Sequence, residues 1–180
     1  MAKTPEPGAS GYVDSYEDVS TFALAAEREA DLLAVQTECT FMWTTSAGDP
    51  VGVVMNYVHH DGRFWLTCTR RRKRVPAILA RPRVAVAVSS RGTDIGVSQA
   101  VTYKGMAIVH DDDAMKDWMY AALAAKVRPG DPVKQAAFAA HLDTPGRVVI
   151  EVVPDQRIGF DAEAMFAGSP AGPSTTRVTH

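Results

Sequence analysis

Residues 67–74 read Thr-Cys-Thr-Arg-Arg-Arg-Lys-Arg. Thr67 and Thr69 offer hydroxyls at the end of a β-patterned stretch. Arg72 and Lys73 follow at the expected start of a short helix, where backbone N–H groups have no partner within the helix. Hydroxyls, cations and free amides brought to one place are the parts of a phosphate cradle. Arginine contributes a planar fork of donors and lysine a point charge. A basic run alone is also what a solvated loop looks like. Its meaning therefore depends on the elements that carry it.

Those elements read as strands joined by tight turns. Residues 39–45 are rich in Thr, Phe and Trp, and 51–58 and 63–69 continue the β pattern. Ala47-Gly48-Asp49-Pro50 is turn chemistry, and Asp61-Gly62 is a strong hairpin signal. A short helix is expected over 75–80, with Pro76 in its first turn and Arg81-Pro82 ending it. Residues 84–89 and 100–110 form two further strands, and Gly105 marks a bulge or a close backbone approach. A helix capped from 111–113 and a second over 132–141 precede a sixth strand at 147–153, with 157–160 as its candidate continuation in the sheet. Ahead of the first strand, Tyr16, Val19, Phe22, Ala23, Ala26, Ala30 and Leu33 recur at helical spacing behind a cap at Asp14 or Ser15. Hairpins dominate this order. It specifies a mainly β (α+β) antiparallel barrel with helices outside, and excludes a doubly wound sheet. Three segments are expected: a lead-in over 1–13, the folded domain over 14–161, and a disordered tail over 162–180.

Composition narrows the function classes. The chain has 180 residues, 46% of them hydrophobic, enough for one well-buried core. Nineteen basic residues against 21 acidic ones leave a net charge of −2, which argues against general nucleic-acid binding. The apolar runs are too short to span a bilayer. The first residues lack the apolar core of a secretion signal, and the two cysteines form no C-x-x-C unit. A cytoplasmic protein without a structural metal is expected.

The ordered pieces resemble a known family. Asp61-Gly62-Arg63-Phe64-Trp65-Leu66-Thr67-Cys68-Thr69, then Arg72-Lys73, then Ala80-Arg81-Pro82-Arg83-Val84-Ala85-Val86 are similar to the pyridoxamine 5'-phosphate oxidase-like split-barrel family. Val101 to Asp111, VTYKGMAIVHD, resembles its following strand. The resemblance spans about residues 35–155 and implies a six-stranded antiparallel split β-barrel. It implies FMN or the deazaflavin coenzyme F-420 as cofactor, with the phosphate on Thr67, Thr69, Arg72 and Lys73 and Cys68 between the two threonines. It places the ring and ribityl chain along Val54, Met55 and Asn56, with help from Leu66. Gln99 sits one place from a position where the family often has a polar ring contact. It further implies a homodimer with the site between subunits, and hydride transfer to or from a small conjugated substrate. A non-catalytic flavin, F-420 or haem storage protein is the alternative on the same fold. The oxidase proper has an Arg-rich terminal segment, whereas residues 169–176 read Ser-Pro-Ala-Gly-Pro-Ser-Thr-Thr. Vitamin B6 oxidase activity is therefore not expected. Arg70, Arg71 and Arg74 are spare cations suited to the acidic tail of F-420. Hydride transfer needs no side-chain acid or base, so no catalytic residue is assigned.

Other residues have plainer readings. His59-His60 could ligate metal or haem, but a hairpin tip explains the pair. His110 beside Asp111, Asp112 and Asp113 suggests a metal less than a helix cap. Trp118 and Met119 fit a helix core face, and Trp43 and Trp65 fit barrel or dimer packing. Tyr103 and Lys104 could reach a substrate or the partner subunit.

Overall fold

β-Branched and aromatic residues alternate with small or polar ones along most of the chain, and each such run becomes a strand. The computed structural model describes residues 22–167. The strands are β1 (Glu38–Thr44), β2 (Pro50–Asn56), β3 (Val58–His60), β4 (Arg63–Thr69), β5 (Arg83–Ser89), β6 (Gln99–His110) and β7 (Arg147–Asp161). The helices are α1 (Ala26–Val35), α2 (Arg74–Ala80), α3 (Asp113–Val127), α4 (Pro132–Leu142) and α5 (Ala162–Phe166).

All seven strands join one antiparallel sheet in the order β2-β1-β5-β6-β7-β4-β3. β2 and β3 form its opposite edges, yet only Tyr57 separates them in the chain. The sheet must therefore curl until its edges meet, which makes it a barrel. Tyr57 is fully buried at that corner. Its N–H donates to Thr37 O at 3.3 Å and its hydroxyl to Leu33 O at 3.1 Å. This corner divides the single strand expected over 51–58, so the barrel has seven strands rather than six.

Inward side chains such as Phe41, Phe64, Leu66, Val86, Val101 and Ile150 fill the barrel. A second cluster, with Trp65, Met119, Leu123, Leu142 and Val149, lies between the outer face of the sheet and the α3–α4 pair. Asp112 caps α3 by accepting from Met115 N at 2.9 Å, and Asp131 caps α4 by accepting from Lys134 N at 3.0 Å.

Asp61 (φ 49°) and Gly62 (φ 71°) both adopt the left-handed conformation of a tight hairpin turn. The β6–β7 register shifts between Lys104 and Gly105, and a Cβ at Gly105 would meet Val153 O at 2.2 Å. Both readings of Gly105 hold.

Three boundaries differ from the sequence expectations. The first helix starts at Ala26, because Ala25 is extended (φ −64°, ψ 148°). Phe22 and Leu24 instead bury themselves against the body, with Arg157 Nη2 donating to Leu24 O at 2.5 Å. Asp14, Ser15, Tyr16, Val19 and the lead-in over 1–13 lie outside the described residues. β7 runs unbroken through both expected pieces. α5 stands where the tail was to begin, capped by Asp161, which accepts from Glu163 N at 2.9 Å; residues 168–180 lie outside the described residues. No helix among the described residues is long and apolar enough to cross a membrane.

Candidate functional site

The pairing of β4 with β7 sets Thr67 opposite Val149 and Thr69 opposite Arg147. Paired residues share a face, so both threonines and Arg147 point outward. The turn after Thr69 is tightly tied. Arg70 N donates to Gly146 O at 2.6 Å, Arg72 N to Thr69 O at 3.0 Å and Val75 N to Arg72 O at 2.9 Å. This geometry sends Arg72 and Arg74 to one side of the α2 entrance and Lys73 to the other.

The result is a cleft of about 240 Å³. Thr67, Cys68 and Thr69 form its base, and Met55 and Asn56 come from the end of β2. Arg72, Arg74 and Arg147 supply positive charge, while Leu123, Phe138 and Leu142 of α3 and α4 make an apolar wall. No carboxylate lines it. Elsewhere Arg28, Arg63, Arg70, Arg83 and Arg157 all bind Asp or Glu. Among the described residues, the three cleft arginines have no acidic partner. Arg74 instead donates to Met55 Sδ at 2.6 Å and lies 5.7 Å from the Trp43 ring centre. Arg147 Nε donates to Thr144 Oγ1 at 3.3 Å.

The two hydroxyls differ. Thr67 Oγ1 donates to Val148 O at 2.9 Å, which leaves only its lone pairs for a ligand. Thr69 has no side-chain partner among the described residues, so its proton is available. The Cys68 thiol is raised by burial, and Arg74, Arg147 and Arg72 oppose that in decreasing order. Burial prevails, and Cys68 is a neutral thiol rather than a nucleophile.

Three cations without counter-ions among the described residues, the Thr69 hydroxyl and an adjoining apolar wall suit a phosphorylated organic group. The sequence matches the family model for pyridoxamine 5'-phosphate oxidase over residues 27–158. The chain belongs to the pyridoxamine 5'-phosphate oxidase family. Solved structures agree on the fold. A conserved hypothetical protein of Mycobacterium tuberculosis aligns with TM-score 0.69 and 16% identity, over 81% of this chain and 90% of that one. A FAD-binding protein of Mesorhizobium loti aligns at 0.58 and 18%, over 78% and 96%. An F420 reductase aligns at 0.54 and 19%, over 71% and 94%. No curated protein sequence matches.

Within this family member the cleft gathers six of the ten residues expected from sequence: Met55, Asn56, Thr67, Cys68, Thr69 and Arg72. Four lie elsewhere. Lys73 lines a neighbouring cleft with Trp43, Pro76 and Arg81, because successive residues at a helix start diverge around its axis. Val54 points outward on the β2 edge and is 65% exposed. Leu66 points inward and is fully buried, so only its backbone can approach a ligand. Gln99 is buried in another contact beside Arg28; with its amide turned so that the oxygen faces the guanidinium, it accepts from Nη2 at 2.7 Å and Nε at 2.9 Å.

Sequence reasoning missed Arg147 and the wall from α3 and α4. Arg147 lies 78 positions after Thr69 in numbering, and only strand pairing brings them together. Arg74 was visible in the basic run, yet as a spare cation rather than a lining group. His60 is the exposed hairpin tip, while the half-buried His59 ring rests on Phe64 at 4.8 Å. His110 Nε2 contacts Glu151 Oε2 at 2.7 Å. Among the described residues no cluster of His, Cys, Asp or Glu can hold a metal. Tyr103 donates to Glu29, which also binds Arg157, and Lys104 is exposed.

Proposed function

We propose that the protein is a cytoplasmic oxidoreductase that binds FMN or coenzyme F-420 by its phosphate and acts on a small conjugated substrate. The observation that carries this reading is the set of three arginines around Thr69 that have no carboxylate partner among the described residues. Arg72, Arg74 and Arg147 bind the phosphate oxygens, and Thr69 donates a further hydrogen bond. Met55 and Asn56, which line the same cleft, would hold the chain that leads from phosphate to ring. The ring system supplies hydride chemistry when bound. The protein contributes orientation, charge and exclusion of water, and no side-chain acid or base is assigned.

The same reading makes the protein a homodimer. Val54, Thr40, Ala87, Thr102 and Ile158 are successive partners across five strands, so they form one row on the outer face. The row carries no charge, and Val54 and Ile158 are exposed at its ends. An uncharged sheet face of this kind suits a second copy of the chain.

The test compares ligands that differ in one group. FMN should bind at least about tenfold more tightly than riboflavin, since one lost charge-assisted contact costs that much. F-420 is titrated beside FMN, and the better binder is then offered to reductants and conjugated acceptors. Equal affinity for FMN and riboflavin, with no F-420 binding, overturns the reading. Haem binding tighter than either, without turnover, replaces it with the storage alternative.

A further inference from the structure

A second cavity lies at the far end of the β4–α3 contact. Trp65 of β4 points outward beneath α3, and Trp118 of α3 meets it edge-on, with ring centres 5.0 Å apart and planes at 73°. His60, at the hairpin tip, closes a third side, 5.4 Å from Trp118 and tilted by 50°. These rings, with Met115 and Asp112, line a space of about 350 Å³ that shares no residue with the arginine cleft. Trp118 is set at a large angle to both Trp65 and His60, so the rings make a corner rather than a stack, with the almost fully buried Trp65 at its base.

The charge around this corner is negative. No Lys or Arg lines it. The nearby cations are engaged: Arg70 pairs with Asp111, and Lys116 with Asp111 and Asp113 at 3.2 Å each. Asp112 accepts only from its own helix, at Met115 N, and has no cationic partner among the described residues. Asp61 Oδ2 lies 3.4 Å from His60 Nε2 at the rim. Aromatic faces carry negative potential and attract cations, most strongly at indoles. One carboxylate among aromatic side chains gives a bare metal ion too few oxygens. They suit a charge spread over methyl groups.

We propose that this corner binds a small organic cation, a quaternary ammonium or a protonated tertiary amine. Trp65, Trp118 and His60 contact its alkyl shell, and Asp112 supplies the counter-charge. The site is independent of the phosphate cleft, so each stands or falls alone.

The intact protein is titrated with choline and with its neutral isostere 3,3-dimethylbutan-1-ol, read by tryptophan fluorescence. Choline should quench saturably, and the alcohol should bind about tenfold more weakly. Asp112→Asn keeps a good cap for α3 while removing the charge, and should weaken choline binding severalfold without changing the melting temperature. Trp118→Ala should abolish saturation, whereas Arg147→Gln should leave choline binding unchanged. The proposal is overturned if the alcohol binds as well as choline, or if Asp112→Asn binds choline as the parent does. A trimethyl-lysine peptide that binds more than about tenfold more tightly than choline overturns the small-molecule assignment.

Discussion

Arg147→Gln separates a phosphate site from an ordinary basic surface. Arg147 is half-buried, faces Thr69 across the β4–β7 ladder, and has no acidic partner among the described residues. The fold asks little of its charge: Nε donates one 3.3 Å bond to Thr144 Oγ1. Removing the guanidinium should therefore change stability by less than about 0.5 kcal/mol. A charge-assisted bond to phosphate contributes about 1.5–3 kcal/mol, which corresponds to about 10–150-fold in Kd. Lys73→Ala is the control. Lys73 is exposed in the cleft on the other side of α2, where solvent screening limits its effect to roughly twofold. Titration calorimetry with FMN and with F-420 measures both variants, at two salt concentrations. The Arg147→Gln loss should shrink as salt rises, because screening weakens the contact in the parent. If Lys73→Ala costs as much as Arg147→Gln, or if Arg147→Gln binds both ligands like the parent, the three-arginine assignment is wrong.

Gly105→Ala should destabilise the fold by about 1–3 kcal/mol, since its Cβ would meet Val153 O at 2.2 Å and Val153 C at 2.8 Å. Gly96→Ala, with open space around the new atom, is the matched control in urea unfolding, and equal midpoints for the two variants would refute the close approach. Burial pushes the Cys39 thiol up to about 12 and also raises Cys68. Iodoacetamide at pH 8 should leave both unmodified in the folded protein and label both in urea; rapid labelling of the folded protein would contradict this. Lys126 lies 3.8 Å from the Tyr57 ring centre, and burial lowers its ammonium from 10.5 to about 8. Between those values the unfolded chain binds more protons, so the contribution of Lys126 to stability rises with pH. The unfolding free energy of the parent minus that of Lys126→Met should climb from pH 8 to 10, and a falling difference would refute the burial argument.

Most of the sheet is legible in the sequence because its signals are local. Period-two alternation marks β4, Thr, Phe and Trp mark β1, a continuous apolar run marks β5, and Asp61-Gly62 fixes the β3–β4 turn through two left-handed residues. Gly105 announces the bulge because no side chain fits beside Val153. The unread parts are those that tertiary contact decides. Tyr57 has high strand propensity, yet it is the corner where the barrel closes. Phe22 keeps helical spacing with Ala26, but it is buried against the body outside α1, which starts only at Ala26. In the site, Thr67, Thr69 and Arg72 are near neighbours in the chain and could be grouped by spacing. The choice of Arg74 over Lys73 depends on the direction in which α2 leaves the turn. Arg147 enters only through the register of two strands far apart in sequence. Leu123, Phe138 and Leu142 read as core apolar residues on helices, and nothing in their spacing says which of them end at a cleft.

The partnership between Thr69 and Arg147 also sets a timetable. A nascent chain that has emerged as far as α4 already possesses both threonines, Arg72, Arg74 and the apolar wall, but not the strand that delivers the third guanidinium. β7 is also the element that joins β6 to β4, so until it threads between them the two halves of the sheet have no shared ladder. Completion of the three-arginine cleft and the final knitting of the barrel therefore wait on the same strand.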